Sequence, residues 1–324
     1  MTRSMKTPFV RFMKLSMSCF SNSGKCAEGY NSGFVANRDP KMKLTHLAVL
    51  CTLITPAAFA APLTVESYNP QENAIFAVSS TLVYGPKEAV LFDAQFSVKD
   101  GEALVEKIRR SGRKLNKIVI TSGDPDFYFG LQPLVKAFPE AKILATRQVV
   151  DHINATKEAK LQFWGPQMKD GAPTTLYVPQ VLASTTFMID GEKVSIEHAD
   201  DYAAYVWIPS AKTILGGTGV SWGIHVWTAD TQTKESRQQW QQTLAAMAAH
   251  QPERVIPGHY LGTPPAGAEA ISFTQRYLAQ FETALAQHKT SADVINTMKK
   301  AYPDLAEVSS LELSAKVNTG EMKW

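Results

Sequence analysis

The chain has 324 residues, with 33 Lys and Arg against 30 Asp and Glu, 44% hydrophobic residues and three cysteines. Residues 1–60 carry eight basic and two acidic groups, which leaves 25 basic and 28 acidic groups for residues 61–324. Residues 61–324 are therefore mildly acidic, which excludes a basic nucleic-acid-binding protein. The share of hydrophobic residues excludes a disordered or collagen-like chain. All three cysteines precede residue 60, which excludes a disulfide framework and a cysteine-ligated zinc site in the rest.

The segment that begins at Met42 has the three parts of a secretory signal. Lys43 gives a basic start, residues 44–55 form an uncharged apolar run, and a small-x-small exit ends at Ala60. The run is shorter than the ~20 apolar residues that span a bilayer. We therefore expect residues 1–60 to be leader and signal peptide, cleaved near Ala60. Met42 is the expected true start, and residues 1–41 are either an over-long gene prediction or an extended leader. The mature protein is expected to be soluble and exported, periplasmic or secreted, without a membrane span.

Residues 61–324 alternate between strand-like and helix-like patterns, which favours one domain in the α/β class. Strands are predicted at residues 75–79, 80–84, 89–92, 117–121, 142–145, 187–198, 203–208, 213–215 and 254–256. Helices are predicted at residues 98–111, 131–138, 236–250, 266–288, 291–302 and 305–316. The alternation in the first half indicates a partly parallel sheet covered by helices, and residues 264–324 form a helical C-terminal extension.

Polar residues follow several predicted strands, and such strand ends line the ligand crevice of α/β sheets. Residues 121–130, Thr-Ser-Gly-Asp-Pro-Asp-Phe-Tyr-Phe-Gly, follow a buried strand. His198 ends another strand, and Pro-Gly-His at 257–259 follows a third. A glycine-rich segment at residues 214–227, which contains His225, lies between the last two.

The order and spacing of these segments resemble the metallo-β-lactamase fold superfamily over nearly all of residues 62–262. The family motif Thr-His-x-His-x-Asp-His-x-x-Gly aligns with residues 121–130, and its Asp-containing turn aligns with Asp93. Its Gly-His and Pro-Gly-His segments align with His198 and His259. The resemblance implies a four-layer αββα sandwich that binds zinc or iron at its edge and hydrolyses esters, amides, thioesters or phosphodiesters.

This sequence departs from the family motif at the positions that bind metal. Ser122, Asp124 and Phe127 stand where the family has histidines, and Thr218 stands where it has a bridging aspartate. A zinc site with three imidazoles cannot be built from what remains. One divalent metal, zinc first and iron or manganese as alternatives, is compatible with a reduced ligand set, and no metal at all is the other possibility. That reduced set consists of Asp126, His198 and His259, with Asp124 as a fourth oxygen ligand.

Each of these acidic and histidine positions has a second interpretation. Asp124 and Asp126 are candidates for a general base acting on a metal-held water, but Asp-Pro-Asp after a strand also suits a helix cap. His198 is either a ligand or an ordinary strand-end histidine. His259 is favoured as a site residue because Pro-Gly-His follows a strand.

Three further residues are candidate substrate contacts. His225 is either a substrate contact or proton shuttle, or a histidine of the core or pocket wall. Trp222, near His225, and Tyr128, in the run Phe-Tyr-Phe at 127–129, either line an apolar substrate pocket or pack in the core.

Two functions remain open at this point. The first is metal-assisted hydrolysis of a small ester, lactone or amide-type substrate; β-lactamase action itself is disfavoured because the ring-opening hydroxide needs the missing histidines. The second is a pseudoenzyme that binds a ligand or a protein partner in the cell envelope. We expect a small-molecule ligand and no nucleic acid, and we expect the C-terminal helices to pack on the sandwich or to form a homo-oligomer.

Overall fold

The computed structural model describes residues 62–200 and 202–324, so the predicted leader and signal peptide lies outside the described residues. The strands are β1 Thr64–Tyr68, β2 Ser80–Tyr84, β3 Glu88–Phe92, β4 Lys114–Ile120, β5 Lys142–Ala145, β6 Gln180–Val181, β7 Thr186–Ile189, β8 Glu192–His198, β9 Ala204–Ile208, β10 Thr213–Leu215, β11 Ser221–Trp222, β12 Arg254–Ile256 and β13 His259–Tyr260. The helices are α1 Val98–Ser111, α2 Pro125–Tyr128, α3 Leu131–Ala137, α4 Arg147–Met168, α5 Lys234–Ala249, α6 Glu269–Gln287, α7 Ser291–Ala301 and α8 Val308–Asn318. Within this part of the chain, no helix is both long and apolar enough to cross a membrane.

The strands form two mixed sheets and a short strand pair. The first sheet has the order β1-β2-β3-β4-β5-β6, antiparallel from β1 to β3 and parallel from β3 to β6. The second has the order β12-β10-β9-β8-β7, in which β12 runs parallel to β10 and the other pairs are antiparallel. Strands β11 and β13 pair in parallel and place Ser221 beside His259.

Alternating side chains bury both faces of the first sheet. Val83 and Val90 pack against the second sheet, whereas Leu82 and Leu91 pack against the helical layer that contains α1, α3 and α4. The outer face of the second sheet packs against α5 and α6. The chain therefore has the layer order helix, sheet, sheet, helix, and the predicted αββα sandwich is confirmed.

Local sequence explains where the helices begin and end. Ser97 caps α1 by accepting the backbone N–H of Asp100, and Gly112 ends it in the left-handed conformation that glycine adopts without strain. Helix α5 begins with a reciprocal capping box between Thr233 and Ser236.

The C-terminal helices α6 to α8 are additional to the sandwich and share a core of their own. Phe281 and Leu311 lie in this core, with Val226 and Trp222 of the sandwich packed against them. Arg237 of α5 is buried, and it donates hydrogen bonds to Glu282 of α6, to the Thr231 carbonyl and to Asn318 of α8. In this chain the helices therefore pack on the sandwich.

The prediction of a strand at residues 75–79 is wrong. Ile75 is 46% exposed, and of this segment only Val78 pairs, in an isolated bridge with His259. The first strand is instead β1, whose sequence Thr-Val-Glu-Ser-Tyr has few apolar residues and lies at the edge of the sheet.

Candidate functional site

A buried hydrogen-bond network holds three strand ends together beneath the site. The Asp93 carboxylate accepts the backbone N–H and the hydroxyl of Thr121, each at 2.7 Å. The Thr121 hydroxyl also accepts the backbone N–H of Gly217 at 2.7 Å. Burial raises the pKa of Asp93 to about 7, even though the bonds from Thr121 oppose the rise. The network joins the ends of β3 and β4 to the glycine-rich loop after β10.

Asp124 lies in the loop between β4 and α2, at the cap position of that short helix, with Pro125 at its first position. Its side chain makes no capping hydrogen bond, so it does not act as the helix cap that the turn sequence allows. Its Oδ1 instead lies 3.9 Å from Nζ of Lys160 on α4. Burial, together with the carboxylates of Asp230 and Asp126, raises the pKa of Asp124 to about 8.

Asp126 and His259 contact each other directly. Nε2 of His259 donates to Oδ2 of Asp126 at 2.6 Å, and both side chains are largely buried. Burial opposes a charge on the imidazole, but the adjacent Asp126 carboxylate outweighs it and raises the pKa of His259. The buried ring of Phe127 packs edge-on against the His259 ring, with the centroids 5.5 Å apart.

Gly258 allows His259 to reach this position. A Cβ atom at residue 258 would lie 1.9 Å from the carbonyl oxygen of Gly217, which is too close for any side chain. The backbone of the Pro-Gly-His segment can therefore lie against the glycine-rich loop only with glycine here.

The four residues Asp124, Asp126, His225 and His259 line one pocket. The inner cavity measures ≈ 90 Å³, and an adjoining outer cleft between α4 and α5 measures ≈ 630 Å³. His225 is buried, and its Nδ1 lies 3.0 Å from the hydroxyl of Tyr277. Burial lowers the pKa of His225 to about 4, so this histidine is neutral near pH 7.

The family model of the metallo-beta-lactamase superfamily matches residues 74–259, more than half of the chain. The chain belongs to the metallo-β-lactamase superfamily. Among solved structures, a metallo-beta-lactamase family protein from Thermus thermophilus has a TM-score of 0.55 and 14% identity, covering 80% of this chain and 91% of that protein. A metallo-beta-lactamase from Pontibacter korlensis has a TM-score of 0.46 and 16% identity, covering 68% and 96%. No curated protein sequence matches the chain. At 14% identity, the Thermus thermophilus structure shows the fold alone.

One residue predicted as a metal ligand, His198, and two predicted as substrate contacts, Tyr128 and Trp222, do not line this pocket. His198 is exposed at the end of β8, beyond the core residue Ile196, and the pocket wall is formed by Asp200 instead. Tyr128 is buried in the core under α1, α3 and α4, and its hydroxyl has no hydrogen-bond partner among the described residues. Trp222 packs on Phe273 of α6, with ring centroids 5.3 Å apart, so its indole fills the core between the sandwich and the C-terminal helices.

Several residues that line the pocket belong to no motif that is recognisable in the sequence. They come from α4, from the loop before α5, from the start of α8 and from the end of the chain: Lys160, Asp230, Glu307 and Trp324. The one sequence signal for this part of the pocket is its tryptophan content, since Trp164 and Trp227 also line the wall.

Metallo-β-lactamase superfamily members generally bind divalent metals, but the donors among the described residues of this chain do not fit one. Within residues 62–200 and 202–324, no three His, Cys, Asp or Glu side chains lie close enough to hold an ion together. Asp126 and His259 bond to each other, and the Asp124 carboxylate faces the ammonium group of Lys160. A structural or catalytic zinc site needs at least three protein ligands, so the described residues lack one.

Proposed function

We propose that this protein is a ligand-binding member of the superfamily that acts without the family's metal, a pseudoenzyme of the cell envelope. The observation that carries the proposal is the direct 2.6 Å contact between Asp126 and His259, the two retained ligand positions in the pocket. No third donor joins them among the described residues. The Asp126 oxygen and the His259 nitrogen, which would otherwise face a metal ion, are therefore each other's hydrogen-bond partner.

The replaced motif positions support the same proposal. Phe127 is fully buried and packs on His259, so an apolar ring occupies space beside the imidazole. Ser122 is also fully buried, and its hydroxyl accepts the backbone N–H of Asp124 at 3.2 Å. These side chains have structural roles in the loop, and neither offers an imidazole donor.

Metal-assisted hydrolysis of a small ester, lactone or amide-type substrate is a second candidate. It is favoured by one observation, that Asp124, Asp126 and His259 line the same pocket. It requires the Asp126–His259 contact to open and a third donor to move towards them.

Elemental analysis separates the two candidates. Residues 61–324 are purified, incubated with zinc, iron or manganese, and freed of unbound ions before metals are counted. The proposal predicts less than about a tenth of an ion per chain, because no three-ligand site exists among the described residues. Occupancy near one ion per chain would overturn it, provided that Asp126→Ala and His259→Ala lose the ion. The control Asp151→Ala, on the exposed face of α4, would have to keep it.

A further inference from the structure

Carboxylates dominate the charge of the pocket. Lys160 and His259 are the side chains of its lining that can carry positive charge near pH 7, and His259 already contacts Asp126. Negative charge in a cleft attracts cations and repels anions. An anionic ligand is therefore disfavoured here. The acidic side chains are Asp124, Asp126, Asp200, Asp230 and Glu307. Of these, Asp124 is largely protonated near pH 7 until a cation enters, because burial and its acidic neighbours raise its pKa to about 8.

Two tryptophans and one carboxylate form a corner of the pocket, called here the Asp230 corner. The indole N–H of Trp227 donates to Oδ2 of Asp230 at 2.6 Å, and that of Trp324 donates to Oδ1 at 2.8 Å. The two rings lie 5.4 Å apart at 71°. Because both indoles are tied to one carboxylate, aromatic faces and negative charge are fixed side by side. Cations bind best over indole faces among the aromatic side chains.

The chain already places one ammonium group at this corner. Nζ of Lys160 lies 5.9 Å from the centre of the Trp324 ring and 3.9 Å from Oδ1 of Asp124. The lysine stem is long and flexible, and its side chain is 23% exposed, so it can move aside. The contacts of Lys160 thus show how an ammonium group of a ligand would be held.

The dimensions of the pocket suit a compact headgroup with a longer substituent. A water molecule occupies roughly 10–15 Å³ of such a cavity. The inner cavity of ≈ 90 Å³ thus has room for a group of a few heavy atoms, and the outer cleft of ≈ 630 Å³ has room for the rest of the ligand. Trp164 and Trp240 line both spaces and extend the aromatic wall.

We propose that the pocket binds an organic cation, with a substituted ammonium group held between the tryptophan faces of the Asp230 corner and the surrounding carboxylates. Lys160 moves aside as the ligand enters. This inference names the ligand class of the proposed binding function and rests on it.

Calorimetric titration of residues 61–324 tests the ligand class. The probes are choline and tetramethylammonium, and the matched control is 3,3-dimethylbutan-1-ol, which has the shape of choline without its charge. Choline is expected to bind about tenfold more tightly than the alcohol, since a desolvated cation gains from both indole faces and carboxylates. Equal affinities, preference for a neutral sugar such as glucose, or no binding of either cation would overturn the inference.

Two variants test the residues. Asp230→Asn removes the charge and loosens the corner, and we expect it to weaken choline binding about tenfold. Lys160→Met keeps the stem but removes the competing ammonium group, and we expect it to tighten choline binding several-fold. The control Asp151→Asn changes an exposed carboxylate on the same helix, paired with Arg147, and should leave affinity unchanged. Tighter binding by Lys160→Met cannot result from misfolding, so this variant tests the inference even if Asp230→Asn folds poorly. Weaker or unchanged choline binding in Lys160→Met contradicts the inference.

Metal content, measured on the same samples, separates this inference from the proposed function. One ion per chain together with choline binding would refute the metal-free function and leave the cation site standing. Metal-free protein that binds no cation would refute the cation site alone.

Discussion

The buried Asp93 network offers the sharpest test of how the site is held in place. We expect Asp93→Ala to destabilise the protein strongly and Asp93→Asn to destabilise it only mildly. Both variants remove the charge, but the asparagine carbonyl can still accept the Thr121 backbone N–H. The pair therefore separates the loss of hydrogen bonds from the loss of charge.

The magnitude follows from the groups left without partners. In Asp93→Ala the N–H and the hydroxyl of Thr121 lose their acceptor, and each unsatisfied buried group costs about 1–3 kcal/mol. Residue 93 has a φ of 64°, a left-handed conformation that costs alanine about 1 kcal/mol more than aspartate or asparagine. Part of this loss of stability is offset, because the substitution also removes the cost of burying a carboxylate whose pKa is raised to about 7. We expect a net loss of about 3–4 kcal/mol for alanine and about 1 kcal/mol for asparagine.

Urea unfolding at pH 7, followed by circular dichroism, measures both values. A loss below about 1 kcal/mol for Asp93→Ala, or equal losses for the two variants, would refute the argument from unsatisfied groups.

The pH dependence of the free energy of unfolding gives a second test of Asp93. Because the folded pKa of about 7 exceeds the ordinary 3.8, the folded state binds more protons between these values. This carboxyl therefore contributes a loss of stability as pH rises from about 4 to about 7, and Asp93→Asn should lack that contribution.

Two further substitutions test the packing and the electrostatics around the pocket. Gly258→Ala should cost about 3 kcal/mol in urea unfolding, because its Cβ would lie 1.9 Å from the Gly217 carbonyl oxygen. Gly112→Ala, at a left-handed position with no neighbour within 4 Å, should cost only about 1 kcal/mol, and equal costs would contradict the clash. His225→Gln, which keeps an acceptor for the Tyr277 hydroxyl, should flatten the fall in stability between pH 6.5 and pH 4. The pKa of His225 is lowered from 6.5 to about 4, so the unfolded state binds more protons there and acid costs about 3 kcal/mol. Thermal melts across that range check it, and an equally steep fall in the variant would show that other groups cause it.

Local patterns predicted most of the fold because they depend on neighbouring residues alone. The turn Asp190-Gly191 is one example: both residues have positive φ, and the turn joins the paired strands β7 and β8. The stop of α1 at Gly112 is another. The strand predicted at residues 75–79 is wrong because strand pairing depends on tertiary contacts. The apolar residues there are typical of a strand, but only Val78 pairs, in an isolated bridge.

The site was only partly predictable, for a reason that differs from residue to residue. Asp126 follows β4 of the first sheet and His259 follows β12 of the second, and their closeness could be expected from the motif alone. His198 has the same motif support, yet its side chain faces solvent. Lys160 and Trp324 reach the pocket from a long helix and from the end of the chain, and no sequence spacing relates them to the motif.

The changes in the metal motif also alter the electrostatics of the pocket. In a superfamily member with a complete ligand set, a divalent ion offsets the carboxylates that surround it. Here the carboxylates remain, but the donors that would hold such an ion do not lie together among the described residues. Lys160 supplies one positive charge near Asp124, and mutual repulsion with Asp230 and Asp126 contributes to the raised pKa of Asp124. A pocket with this excess of negative charge is stabilised by any cation that enters it, and its tryptophan faces favour an organic cation over a strongly hydrated metal ion.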